Sequence, residues 1–166
     1  MIEEEIRLLK ERIHEHDRRI AELEKTLKGK KEVPVIEEKT ELQKLATKLG
    51  IPIDKFDQIF DKEESTLTII KYAGSNDREK TQNIALLTLF GYKIFFGQEE
   101  VMSQEIRRNI VENRISLNNF GTYINEFTPS LLRRKGELRS PKTTYRLNIQ
   151  GEVKARELIK NILGLS

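Results

Sequence analysis

The sequence predicts a mainly α fold with a small β component (α+β). Three observations carry that reading. An unbroken heptad pattern runs through residues 2–27. A long, strongly apolar helical stretch occupies residues 78–96. After Pro129 the hydrophobic period changes from helical spacing to strand-like segments. Together they divide the chain into a coiled-coil dimerisation helix (1–28), a linker (29–39), a small α–β segment (40–78) and a larger C-terminal module (79–166).

Composition agrees with a solvated rod joined to a modest core. Hydrophobic residues make up 37% of the chain and charged residues 34%, respectively below and above the usual globular shares. The net charge of +3 is unevenly spread. Residues 98–166 hold 12 Lys/Arg against 8 Asp/Glu, a net of +4, whereas residues 1–97 hold 18 against 19. The basic excess therefore lies in the C-terminal module, where a polyanion would need it.

In the first element Ile6, Ile13, Ile20 and Leu27 occupy position a, and Ile2, Leu9, His16 and Leu23 occupy d. Isoleucine at a with leucine at d favours two parallel strands. In a parallel pair the g and e′ positions match Glu5 with Lys10, Arg12 with Asp17 and Arg19 with Glu24, all attractive. Each exposed pair contributes only a few tenths of a kcal/mol, so their role is to select orientation. An a/d stripe is also narrower than the apolar face of a helix folded back on its own domain. His14 and His16 point to different faces and cannot chelate one metal together. His16 reads as a polar register-setting residue.

Lys28-Gly29 through Val33-Pro34 ends the rod. Thr40 and Gln43 have capping-box spacing ahead of Leu42, Leu45 and Leu49. Gly50-Ile51-Pro52 should break that helix. A second short helix is expected to carry Ile53, Phe56, Ile59 and Phe60, followed by a β-rich run at 65–72 and a turn at 74–77. The Ala46–Phe56 region looks like a helix-turn-helix turn, but Asp54, Asp57 and Asp61 would repel phosphates. A structural role is expected there in preference to a sensor or docking role.

Arg78–Phe96 is apolar nearly all round, which predicts burial on more than one side. Gln98–Met102 can supply a short strand. Ser103 opens a helix carrying Ile106 and Ile110, and Asn113–Ser116 forms a turn. Leu117, Phe120, Ile124 and Phe127 then recur at helical spacing. That stripe leaves Asn118, Asn119, Thr122, Tyr123 and Glu126 outward, with Asn125 beside them. Gly121 is expected to permit close packing. Residues 130–135 and 143–149 read as two strands around the loop 136–142. Arg133, Arg134, Lys135, Arg139, Lys142 and Arg146 crowd this hairpin, with Glu137 its one acid. Strands alternate faces, so the six cations cannot all meet one ligand, and the loop residues Arg139 and Lys142 are the best placed. Tyr145-Arg146-Leu147 leads through Gly151 into a helix with Ala155, Leu158, Ile159 and Ile162.

This order of helix, turn, helix, basic hairpin and Gly-led closing helix resembles the winged helix-turn-helix superfamily of DNA-binding domains. The resemblance covers residues 79–163 and is nearest to uncharacterised archaeal-type winged-helix proteins. It implies double-stranded DNA as the partner, a recognition helix at 117–127 and a wing at 136–142. Asn can pair with adenine edges and Thr can touch a thymine methyl, so Asn118, Asn119, Thr122 and Tyr123 are the expected base-reading set. The six hairpin cations are the expected phosphate set.

Catalytic patterns are lacking. There is no cysteine, hence no disulfide, thiolate zinc site or cysteine nucleophile. No Gly-rich phosphate loop or Gly-x-Ser-x-Gly turn occurs. No enzyme activity, cofactor or metal is expected. No apolar run has membrane-spanning length, and three glutamates among the first five residues are unlike a signal peptide. A cytoplasmic protein without a membrane partner is expected. The functional expectation is a homodimeric, sequence-specific DNA-binding protein acting in transcription regulation. The alternatives are a protein-interaction adaptor with a protein partner, and an architectural DNA binder without sequence preference.

Overall fold

The computed structural model describes residues 15–16, 18–19, 41–137, 140 and 142–165. Two units are distinguished, Met1–Glu38 and Lys39–Ser166. In the first, Glu15, His16, Arg18 and Arg19 are helical and exposed. The other heptad core positions, Ile2, Ile6, Leu9, Ile13, Ile20, Leu23 and Leu27, lie outside the described residues, as does the linker at 29–39.

The second unit is α+β. Helix α1 (Glu41–Leu49) buries Leu45 and Ala46. Gly50 ends it with φ of 65°, a left-handed value that glycine adopts without steric cost. Pro52 then precedes a 3-10 helix, Ile53–Gln58. The short helix expected through Phe60 stops two residues early. Phe60–Lys62 is instead strand β1, paired antiparallel with β2 (Leu67–Ile69) in the register Phe60↔Ile69. The reason is hydrogen-bond accounting: the β-rich run needs a partner for its backbone groups, and the preceding chain supplies one. The Ile70 N–H donates to the Ile59 carbonyl at 2.9 Å and extends the ladder.

Helix α2 (Asp77–Phe96) is the central element. Its start is doubly capped. The Asn76 side chain accepts from the Glu79 N–H at 2.9 Å, and the Glu79 carboxylate accepts from the Ser75 N–H at 2.9 Å and hydroxyl at 2.7 Å. Those bonds, the one from the Ser75 N–H foremost, hold the Glu79 carboxyl below its usual pKa. Gly97 closes the helix with φ of 66°. Ile84 through Leu87, Leu89 and Phe90 are each 2% exposed or less, so the helix is buried all round, as its composition predicts. A Cβ at Gly91 would strike the Leu67 side chain and the Phe60 ring. The glycine thus lets the β1–β2 sheet lie directly on α2.

Strand β3 (Val101–Met102), helix α3 (Ser103–Glu112) and helix α4 (Phe120–Asn125) follow. Strands β4 (Leu132–Lys135) and β5 (Thr144–Leu147) form the hairpin, and α5 (Ile149–Ile162) closes the unit. The three strands form one antiparallel sheet in the order β3-β5-β4. Ile106 and Ile110 from α3, Phe120 and Ile124 from α4, and Ala155 and Ile159 from α5 join the core around α2.

Residues 41–78 are bound into this unit by polar contacts. Asn109 of α3 is fully buried. Its Oδ1 accepts from the Ile69 N–H at 2.8 Å, and its Nδ2 donates to the Leu67 carbonyl at 3.0 Å. Asn113 Nδ2 donates to the Ile69 carbonyl at 2.8 Å, and the Arg108 guanidinium reaches the Leu67 carbonyl at 3.1 Å. The free edge of β2 is thereby satisfied by side chains of α3 and of Asn113, its C-cap, where a third strand would otherwise be needed. Among the described residues no helix is long and apolar enough to cross a membrane.

Candidate nucleic-acid interface

Helix α4 is shorter than the 117–127 stripe suggests. Only Phe120–Asn125 is α-helical, and Asn118 and Asn119 precede it in a turn. The Ser116 hydroxyl accepts from the Asn118 N–H at 3.3 Å, which tightens that turn. Leu117 and Phe127 are half-buried at its flanks, while Phe120 and Ile124 are fully inside. Asn118, Asn119 and Thr122 are exposed, as the apolar stripe requires. Tyr123 is half-buried and its hydroxyl accepts from Asn119 Nδ2 at 3.3 Å. Glu126 is drawn to α2, where it pairs with Arg78 at 2.7 Å and accepts from Gln82 Nε2 at 2.9 Å. Gly121 is not a packing glycine: a Cβ there would meet nothing within 4 Å.

An open groove of about 640 Å³ lies between the α3 N-terminus, α4 and the hairpin loop. Gln104 and Arg107 of α3, Asn118, Gly121, Thr122 and Asn125 around α4, and Ser140 of the loop line it, with no carboxylate among the lining residues. Arg107 is held over the Phe120 ring, 4.2 Å from its centroid, a cation–π arrangement. Its Nε also donates to the Ser103 hydroxyl at 3.4 Å. Arg107 was not among the residues singled out in the sequence. Its signal was available: it stands one residue past the core position Ile106, on a helix otherwise read only for its apolar face.

The hairpin register sorts the cations by face. Arg134 is opposite Tyr145, and Arg133 is opposite Arg146. Cross-strand partners share a face. Leu132, Arg134, Tyr145 and Leu147 therefore make the inner face, and Arg133, Lys135, Thr144 and Arg146 the outer one. Arg134 donates to Asn125 Oδ1 at 2.9 Å and so adjoins the groove. Burial pushes the Tyr145 phenol up in pKa, while the nearby Arg134 and Arg107 guanidiniums pull it down.

On the outer face, Lys135 approaches Glu100 at 3.6 Å. Arg133 and Arg146 stand directly opposite each other, exposed, and neither has an ion pair among the described residues. Like charges in that relation cost stability. Arg107, Arg134 and Lys142 are likewise without a carboxylate partner among the described residues. Arg139 lies outside them.

The hairpin base is fixed to α3. The Ser103 N–H donates to the Thr143 carbonyl at 2.8 Å, and the Thr143 hydroxyl donates to the Glu137 carbonyl. Gly136 takes φ of 100° against Thr143. At the other end Asn148 caps α5 through the Gly151 N–H at 2.8 Å, and its Nδ2 donates to the Pro129 and Ser130 carbonyls at 2.9 and 2.8 Å. One side chain thereby ties together the end of the α4 segment, the hairpin and the closing helix. A Cβ at Gly151 would collide with the Leu131 carbonyl. Comparisons of the chain with known protein families, with curated proteins and with solved structures found no match.

Proposed function

We propose that residues 79–166 form a winged helix-turn-helix and that the protein is a homodimeric, sequence-specific DNA-binding regulator of transcription. The observation that carries this reading is the groove beside α4. It presents amides, hydroxyls and a guanidinium, has no carboxylate among the described lining residues, and adjoins Arg134 on the hairpin. Amide and hydroxyl groups are the chemistry that reads base edges, and unpaired guanidiniums are the chemistry that binds phosphate.

In this reading Asn118, Asn119 and Thr122 face the major groove, and Gly121 lets the backbone approach closely. Tyr123 orients Asn119 through its hydroxyl. Arg107 and Arg134 neutralise phosphates at the rim, while Lys142 and Arg139 extend along the flanking backbone or into the minor groove. Arg133, Lys135 and Arg146 face away from that groove and add long-range attraction. The heptads of residues 2–27 support a parallel homodimer, and a two-fold dimer reads an inverted repeat. The reading needs no enzyme activity and no cofactor, and the cell interior is its proposed location.

Selection from a pool of randomised duplexes tests it. Enrichment of an inverted repeat, with half-sites about one helical turn apart, is the expected result. A pool that is retained without enrichment contradicts sequence specificity and leaves the architectural role. The adaptor alternative has its own supporting observation. Ile149 and Val153 are 80% and 40% exposed on α5, and Ile149 lies beside Arg133 and Arg146. Loss of all duplex binding at low salt would favour it.

A further inference from the structure

An open cavity of about 400 Å³ is lined by α1, the C-terminal half of α2 and α5. Its volume is within the range of small-molecule sites. Leu45, Phe90 and Ile94 give it an apolar floor. Lys44, Lys48, Lys93 and Arg156 line it together with Glu99 and Glu152.

The charges around this cavity are incompletely matched. Glu152 is shared by two cations, at 2.6 Å from Lys93 and 3.2 Å from Arg156. Glu99 adds a longer contact to Lys93 at 3.6 Å. Lys48 is exposed at the rim and has no ion pair among the described residues. The Arg156 guanidinium also lies 5.9 Å from the Phe90 ring centroid, over the apolar floor. An apolar floor and a surplus of positive charge define complementary ligand chemistry. A metal ion is disfavoured by the four cations, and a neutral apolar compound would leave Lys48 unanswered.

We propose that this cavity binds a small organic anion, an aromatic or aliphatic body carrying a carboxylate or phosphate group. The body rests on Phe90 and Ile94. The anionic head lies between Lys48 and Arg156 and accepts from the Arg156 guanidinium. This site is separate from the residues assigned to DNA, and its test does not require DNA binding.

The probe is 1-naphthyl phosphate, titrated into the full chain by calorimetry at low salt, with 1-naphthol as the uncharged comparison. Saturable binding of one probe per chain is expected, with naphthol at least about tenfold weaker. Lys48→Glu, a change at an exposed position, should weaken the phosphate about tenfold while leaving the melting temperature unchanged. Lys142→Ala, on the hairpin, should leave probe affinity as it is. Three results would overturn the proposal: no saturable binding up to roughly 10 mM, equal affinity for naphthol, or a loss of affinity in Lys142→Ala but not in Lys48→Glu.

Discussion

Asn109→Ala offers a quantitative test of how the β1–β2 sheet is joined to α3. The side chain is fully buried and bonds to three backbone groups. Two of those groups keep other partners after truncation. The Leu67 carbonyl still accepts from Arg108 at 3.1 Å, and the Glu105 carbonyl retains its place in the α3 hydrogen-bond ladder. The Ile69 N–H keeps none, since Asn109 Oδ1 at 2.8 Å is its acceptor. An orphaned buried donor costs about 1–3 kcal/mol. The small void left by the amide adds to that, so a loss of about 2–3 kcal/mol is expected. For a unit of this size that corresponds to a melting temperature lower by roughly 10 °C. Asn109→Leu, which keeps the volume but not the bonds, should lose a similar amount. Thermal and urea unfolding of the three proteins measure it. A change below about 0.5 kcal/mol in both variants would refute the claim that these bonds hold β2 to α3.

The remaining predictions divide between fold and function. Gly151→Ala should destabilise severely, because its Cβ would collide with the Leu131 carbonyl; little soluble folded protein is expected, and wild-type stability would contradict the close approach. Asn148→Ala should cost about 1–2 kcal/mol from the lost cap of α5, read by thermal unfolding. Lys142→Ala and Arg107→Ala should weaken binding to all duplexes alike and flatten its salt dependence by about one unit each. Asn119→Ala or Thr122→Ala should instead lower the preference for the selected site by about 1–3 kcal/mol, with little change on random DNA. Leu9→Cys should cross-link to its own copy if the proposed coil is parallel; cross-linking only to a cysteine placed at Ile20 or Leu23 would make it antiparallel.

Much of the second unit was legible in its sequence because the signals are local. Asn76 and Gly97 punctuate a helix whose interior is apolar all round, and the helix lies between them. Leu132–Lys135 and Thr144–Leu147 fall where the period changes, and Val101–Met102 falls within the short stretch expected as a strand. What escaped depends on partners distant in the chain. Phe60-Asp61-Lys62 is too short to show alternation, and it is a strand only because Leu67–Ile69 pairs with it. Asn109 and Asn113 look like helix-surface residues until β2 is placed beside them. Helix α4 is shorter than its stripe because Leu117 and Phe127 are held at the core by flanking turns. The candidate interface was legible to a similar degree. An apolar stripe fixes which amides face outward, and alternation separates Arg134 from Arg133 and Arg146. Arg107 comes from a preceding helix, and only packing brings it to Phe120.

The central claim is that the groove and the hairpin bind duplex DNA. Titration of the chain into a labelled duplex, repeated across a series of salt concentrations, tests it most directly. Each phosphate neutralised on B-DNA contributes about −0.9 to the slope of log K against log salt. Arg107, Arg134 and Lys142 on each of two protomers give up to six such contacts among the described residues, so a slope of roughly −5 is expected. Absence of binding at low salt, or an affinity that does not change with salt, would contradict it.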